Sequence, residues 1–221
     1  MHPRSAPEEI PHRPAAAYRL SFTTGGLLRA EAMAVAEVLL TAGNETAARV
    51  ELRARNLVQQ RTATSTARVT REVVQRLSEL PPDGVSLVAH GTVSDAGHIM
   101  WLAACLRYQF LRDFGSEVLR ARFNSGQWTL SLQDFDTFWN LQSSWIDELR
   151  DAADTTRKKL RQNTFRMLRE AGFLTDSGEI RQAVLSPEVA KVVERCSPMS
   201  FLSFPIDDIQ VEIHTARKEA R

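Results

Sequence analysis

Apolar residues in this chain recur every three or four positions through most of its length, which commits it to packed helices. Val69, Val73, Leu77 and Leu80 are the clearest case. At about 100° per residue they fall on one stripe of a helix. Leu160, Thr164, Met167 and Ala171 repeat the pattern, and Trp101, Leu102, Leu106, Phe110 and Phe114 mark a central core helix over about 96–123. With 221 residues, 43% of them hydrophobic, the chain can bury a sizeable core as one large domain or two modest ones. The expected fold class is mainly all-α. It is a helical bundle with a helix-turn-helix-like N-terminal part, and a C-terminal part compatible with a winged helix and a small β-hairpin.

Punctuation supplies the rest of the organisation. Residues 1–16 hold Pro3, Pro7, Pro11 and Pro14 and read as a disordered leader. An N-terminal domain is expected over 17–125 and a C-terminal one over 126–221, divided at Asn124-Ser125-Gly126. In the first, a short extended piece at Tyr18–Phe22 and a turn at Gly25-Gly26 precede helices over about 27–41, 45–58 (capped by Asn44) and 65–80, the last stopped by Pro81-Pro82. Ser94-Asp95 is expected to cap the core helix. In the second, Ser131 and Asp134 cap a helix over about 132–149, and Asp154 caps one over about 155–171 that ends at Gly172. Phe173–Ile180, with Asp176-Ser177-Gly178 at its turn, resembles a hairpin. Ser186-Pro187 starts a helix to about 195. Ile209, Val211 and Ile213 alternate as a strand would. Trp101, Trp139 and Trp145 sit in apolar patterns and read as core, and Trp128 is left open.

Composition excludes several functional classes. The longest apolar run, Ile99–Leu106, falls far short of the ~20 residues that a membrane-spanning helix needs. No apolar signal core opens the chain. A cytoplasmic protein without membrane contact is expected. Cys105 and Cys196 are unpaired by any CxxC spacing and read as reduced core thiols. His2, His12, His90, His98 and His214 show no metal-ligand spacing. His90, Asp95 and His98 could be imagined as a catalytic group, but no nucleophile motif accompanies them. No enzyme activity, cofactor or metal is expected.

Charge is notable for its placement. The net charge is +1, so any attraction to polyanions must be local. Of the 28 basic residues, 24 are Arg, a bias that GC-rich coding also produces. On the helix at 65–80, Thr64, Arg68, Arg71 and Gln75 lie opposite the apolar stripe, with Arg61, Thr62 and Ser65 at its start. On the helix at 155–171, Lys158, Lys159, Gln162, Arg166 and Arg169 lie opposite the stripe, and Arg161 adds to a run from Arg157 to Arg169 with six cations and no acid. Helix N-termini and Arg or Lys groups attract phosphate, and Arg and Gln read guanine and adenine edges. The alternative is an ordinary solvated polar face, which every surface helix has. Physical chemistry leaves both readings open.

Several segments, taken in order, resemble the BrxA family of BREX phage-resistance systems. They are Tyr18-x-x-Ser21-Phe22-Thr23-x-Gly25-Gly26-Leu27; Asn56-Leu57-Val58-Gln59-Gln60-Arg61-Thr62 with Ser65 and Arg68; Trp101-Leu102-Ala103 with Tyr108; and Thr156-x-x-Lys159-Leu160-Arg161-Gln162 leading into Met167-Leu168-Arg169-Glu170-Ala171-Gly172. The resemblance implies a small helical accessory component of a defence locus, with DNA binding and a helical domain similar to the antitermination factor NusB. It implies partners among the other BREX subunits: an adenine methyltransferase, an ATPase and a phosphatase-like protein. It carries no defined catalytic residue. The resulting expectation is a non-enzymatic DNA-binding component of a BREX system. The alternatives are an adaptor that docks its basic faces on another subunit, and a NusB-like RNA binder.

Overall fold

In a computed structural model of the chain, residues 18–42, 48, 51–52 and 62–219 are described. The Pro-rich leader, most of the helix expected over 45–58, its cap Asn44, and Arg61 lie outside the described residues. The regular elements are helical: α1 (Arg29–Thr41), α2 (Ala63–Leu77), α3 (Pro82–His90), α4 (Val93–Arg107), α5 (Gln109–Phe114), a π-helical turn (Gly115–Arg120), α6 (Ala121–Asn124), α7 (Leu132–Ser143), α8 (Asp147–Arg150), α9 (Asp154–Glu170), α10 (Pro187–Cys196), a 3₁₀ turn (Pro198–Ser203) and α11 (Asp208–Glu219). The all-α reading holds.

Local chemistry explains most boundaries. Thr62 and Ser65 form a reciprocal capping box at the start of α2. Thr92, not Ser94, begins the core helix, with Asp95 as its box partner. Asp134 accepts from the Ser131 N–H at 2.7 Å. Ser186 accepts from the Val189 N–H, with Pro187 in the first helical turn. Gly172, at φ +80°, closes α9: the Phe173 N–H reaches the Leu168 carbonyl and the Gly172 N–H that of Arg169, the paired bonds of a left-handed helix terminus.

Four expectations are corrected. The single core helix over 96–123 is interrupted at Tyr108, whose extended backbone (φ −116°, ψ 101°) separates α4 from α5. Pro82 starts a helix as well as stopping one, since Pro is favoured in a first turn. The strand expected near 209–213 is the helix α11. The hairpin expected at 173–181 does not form strands. Single bridges join Leu174 to Ile180 and Thr129 to Glu179, with Leu130 N–H donating to Gly178 and Ile180 N–H to Trp128, each at 2.8 Å.

One contiguous apolar core takes in side chains from both sides of position 125. Phe110 is its aromatic hub, with Phe135, Phe138 and Trp139 at 5.3–5.5 Å and Phe22 and Tyr18 at 5.9 and 6.2 Å. The segment Tyr18–Leu27 is a non-helical strap tied down by side chains from three helices. Tyr18 donates to Asp113 of α5 at 2.6 Å, and Asn163 of α9 donates to the Phe22 carbonyl at 2.8 Å. Arg76 of α2 donates to the Gly26 carbonyl, and the Leu27 N–H donates to Glu170 of α9. The strap therefore joins α2 to α9 through adjacent residues.

The π-helical turn lets the backbone at Gly115 touch the 3₁₀ turn. A Cβ there would lie 2.8 Å from the Ser203 carbonyl oxygen, which already accepts from Trp101 Nε1 at 3.0 Å. Gly115→Ala is expected to lower unfolding stability by about 1–3 kcal/mol through overpacking, read as a lower urea midpoint with unchanged slope.

Candidate nucleic-acid interface

On α2 Val69, Val73 and Leu77 are buried as their spacing requires, and Leu80 is buried just beyond the end of the helix. Arg68, Arg71 and Thr64 are exposed on the far side, and the two arginines make no ion pair among the described residues. The other polar groups of this face are already engaged. Thr62 and Ser65 bond to each other and to the first-turn backbone, so their hydroxyls serve the helix cap. Gln75 accepts from Arg107 at 2.7 Å. Arg76, one of the cations in this stretch, is fully buried. Its Nε donates to Glu72 at 2.7 Å, and Tyr108 donates to the same carboxylate oxygen at 2.6 Å.

On α9 the row of cations divides into two sets. Arg157 and Arg161 both turn to Asp136 of α7, Arg157 at 2.9 Å and with its guanidinium 5.8 Å from the Trp139 ring centre. Arg166 pairs with Glu170 one turn on at 2.7 Å, and Arg169 faces Asp176 at 3.6 Å. Lys158, Lys159 and Gln162 are exposed and make no side-chain bond among the described residues. The neutralising Asp136 was not identified from sequence. It lies 21 and 25 positions from its partners, and nothing local to either helix announces the contact.

The remaining candidates are placed elsewhere. His98 is buried, stacked 5.3 Å from Phe173 with Phe204 at 6.5 Å. His90 is exposed at the end of α3. Burial works against the Asp95 charge, but hydrogen bonds from Thr92 and Ser186 outweigh it and hold the carboxyl below its usual range. Burial pushes His98 down, only partly offset by Asp95. A base whose folded pKa is lowered stabilises the fold above its unfolded value and loses that contribution as pH falls. Stability is therefore expected to fall from about pH 6.5 towards pH 5. His98→Phe, which suits the aromatic surroundings, should flatten that part of the urea-midpoint profile. An unchanged profile would assign the slope to other groups. Cys105 is buried and its thiol pushed up by that burial, so it behaves as a core side chain. Among the described residues, no group of three or more His, Cys, Asp and Glu side chains could hold a metal ion. No described helix is long and apolar enough to cross a membrane. Trp139 is core as expected, but Trp145 and Trp128 are 68% and 61% exposed.

The fold is similar to that of an uncharacterized protein from Magnetospirillum magneticum known from its crystal structure. The TM-score is 0.71 at 22% identity, covering 86% of this chain and 98% of that one. In sequence the chain is 25% identical over 181 residues to the BREX protein BrxA of Escherichia coli O9:H4 (strain HS), covering 81% of this chain and 85% of the relative. It is 24% identical over 139 residues to the BREX protein BrxA of Bacillus cereus (strain H3081.97), covering 62% and 70%. A family model described as BrxA matches residues 16–196, well over half of the length, and the chain belongs to the BrxA family.

Proposed function

We propose that the chain is a non-enzymatic component of a BREX phage-defence system, acting in the cytoplasm, and that it binds duplex DNA through the outer faces of α2 and α9. Family membership and the names of its relatives support the BREX assignment. The observation that carries the DNA reading is that two helices each present exposed cations that make no ion pair among the described residues: Arg68 and Arg71 on one, Lys158 and Lys159 on the other. Arg68 and Arg71, three residues apart on one helix face, repel at a cost of a few tenths of a kcal/mol, and a phosphate backbone relieves it.

We read the order of elements around α9 as that of a winged helix reduced to its helices and isolated bridges. Helix (109–124), bridge segment (128–130), α7, the one-turn α8, α9, then two bridge segments (173–175 and 179–181) follows the chain order of such a unit with α8 inserted and its strands shortened to single bridges. In that arrangement α9 is the helix offered to the groove. The methyltransferase, ATPase and phosphatase-like subunits of the system are the proposed protein partners.

Titrating the full chain with duplex DNA across salt concentrations tests the reading. Phosphate contacts by the four free cations contribute about −3.6 to the log–log salt slope, and each paired cation that exchanges its partner for phosphate adds about −0.9. Absence of duplex binding at low salt overturns it, and co-purification with another subunit would then favour the adaptor role. Preference for structured RNA over duplex at matched salt would move the assignment to RNA.

A further inference from the structure

The two basic faces differ in what they leave free besides charge. On α2 the amide oxygen of Gln75 accepts from Arg107, so its acceptor–donor edge is not free, and the cap hydroxyls bond to each other. On α9 the amide of Gln162 is exposed and makes no side-chain bond among the described residues. It sits at the centre of the cationic face. Lys158 and Lys159 lie one turn before it and Arg166 one turn after, all within about 80° of one another at 100° per residue for Lys158, Gln162 and Arg166. From Lys158 to Arg166 is eight residues, about 12 Å of helix axis at 1.5 Å per residue, close to the width of the B-DNA major groove. Two phosphate-seeking groups at that separation would seat the helix in the groove with Gln162 over the base edges.

We infer that Gln162 reads adenine in the major groove and sets a sequence preference that the flanking cations do not; this rests on the DNA reading above. A side-chain amide offers an acceptor and a donor in one plane. Adenine presents the complementary pair, N7 as acceptor and N6–H₂ as donor, whereas guanine presents two acceptors. The lysines donate only, and their phosphate contacts carry no sequence information. Arg166 is 62% exposed in its pair with Glu170, so it can exchange that partner for phosphate at little cost.

The experiment is selection of random duplexes by the full chain, followed by binding titrations on the selected and scrambled duplexes. The wild type is expected to enrich a site containing an A·T pair and to prefer it to the other pairs at that position by about five- to 150-fold, the range for one bidentate contact. Gln162→Ala should remove that preference and leave the salt slope unchanged, because a neutral amide releases no counterions. Gln162→Glu, which can only accept, should shift the preference towards the cytosine N4 donor. Both variants change an exposed side chain, so circular dichroism should match the wild type. Wild-type binding with no base preference, or a preference that Gln162→Ala keeps, overturns the inference and leaves DNA binding standing. Failure of the wild type to bind any duplex at low salt overturns the DNA reading as well.

Discussion

Replacing Arg76 by Ala is expected to destabilise the fold by about 3–5 kcal/mol, as for loss of one partner from a buried ion pair. Arg76 has no exposed surface and Glu72 is 5% exposed. Removing the guanidinium would leave the Glu72 carboxylate inside the core with the Tyr108 hydroxyl as its remaining side-chain donor among the described residues. The Gly26 carbonyl would lose its donor at the same time. Arg76→Lys keeps the charge but not the planar fork that serves Glu72 and Gly26 together, so its loss should be intermediate. Replacing the pair by Glu72→Leu with Arg76→Leu should recover part of the deficit, because no charge is then stranded. Recovery should stop short of wild type, since the Gly26 carbonyl still lacks its Arg76 donor and the Tyr108 hydroxyl its Glu72 acceptor. Urea unfolding of the four proteins gives the comparison. A single-variant loss below about 1 kcal/mol would show that water reaches the pair and solvates it.

The position of Arg76 was legible in the sequence by the same arithmetic that defines the stripe. At about 100° per residue it falls between Glu72 and Leu77, in the middle of the buried face. Caps were legible because each is a local bond between named neighbours, as at Ser131/Asp134, Ser186-Pro187 and Gly172. Trp145 was misplaced because a helix running on to 149 would carry it seven residues beyond Phe138, on the same face. The helix stops at Ser143, and the turn after it sends the ring outward. The alternation of Ile209, Val211 and Ile213 suggested a strand, but Asp207 accepts from the Gln210 N–H at 2.7 Å, which is a helix start. A strand also needs an edge to pair with, and the described neighbours of this segment are helical. What no local pattern could reveal is which cations are spent. That depends on Asp136, Glu170 and Asp176 meeting α9 after the chain has folded.

Two double variants on neighbouring residues of α9 should separate structure from recognition. Lys158→Ala/Lys159→Ala removes two exposed, unpaired charges, so stability should stay within about 0.5 kcal/mol of wild type. DNA binding should weaken substantially. Two lost phosphate contacts make the salt slope less negative by about 1.8, which near 0.1 M salt corresponds to roughly a 60-fold loss of affinity. Arg157→Ala/Arg161→Ala should do the reverse. These guanidinia are about three-quarters buried against Asp136, and Arg157 also covers the Trp139 ring. Their loss should cost about 1–3 kcal/mol, the range for hydrogen bonds to a charged group. The salt slope should hold, because neither arginine is free to meet a phosphate. If the arginine variant instead stays as stable as wild type and loses DNA binding, the pair with Asp136 opens on the duplex, and the contact surface lies on the α7 side of the helix. The sequence treats all four residues as one basic run; their partners in the fold decide which of them can act on another molecule.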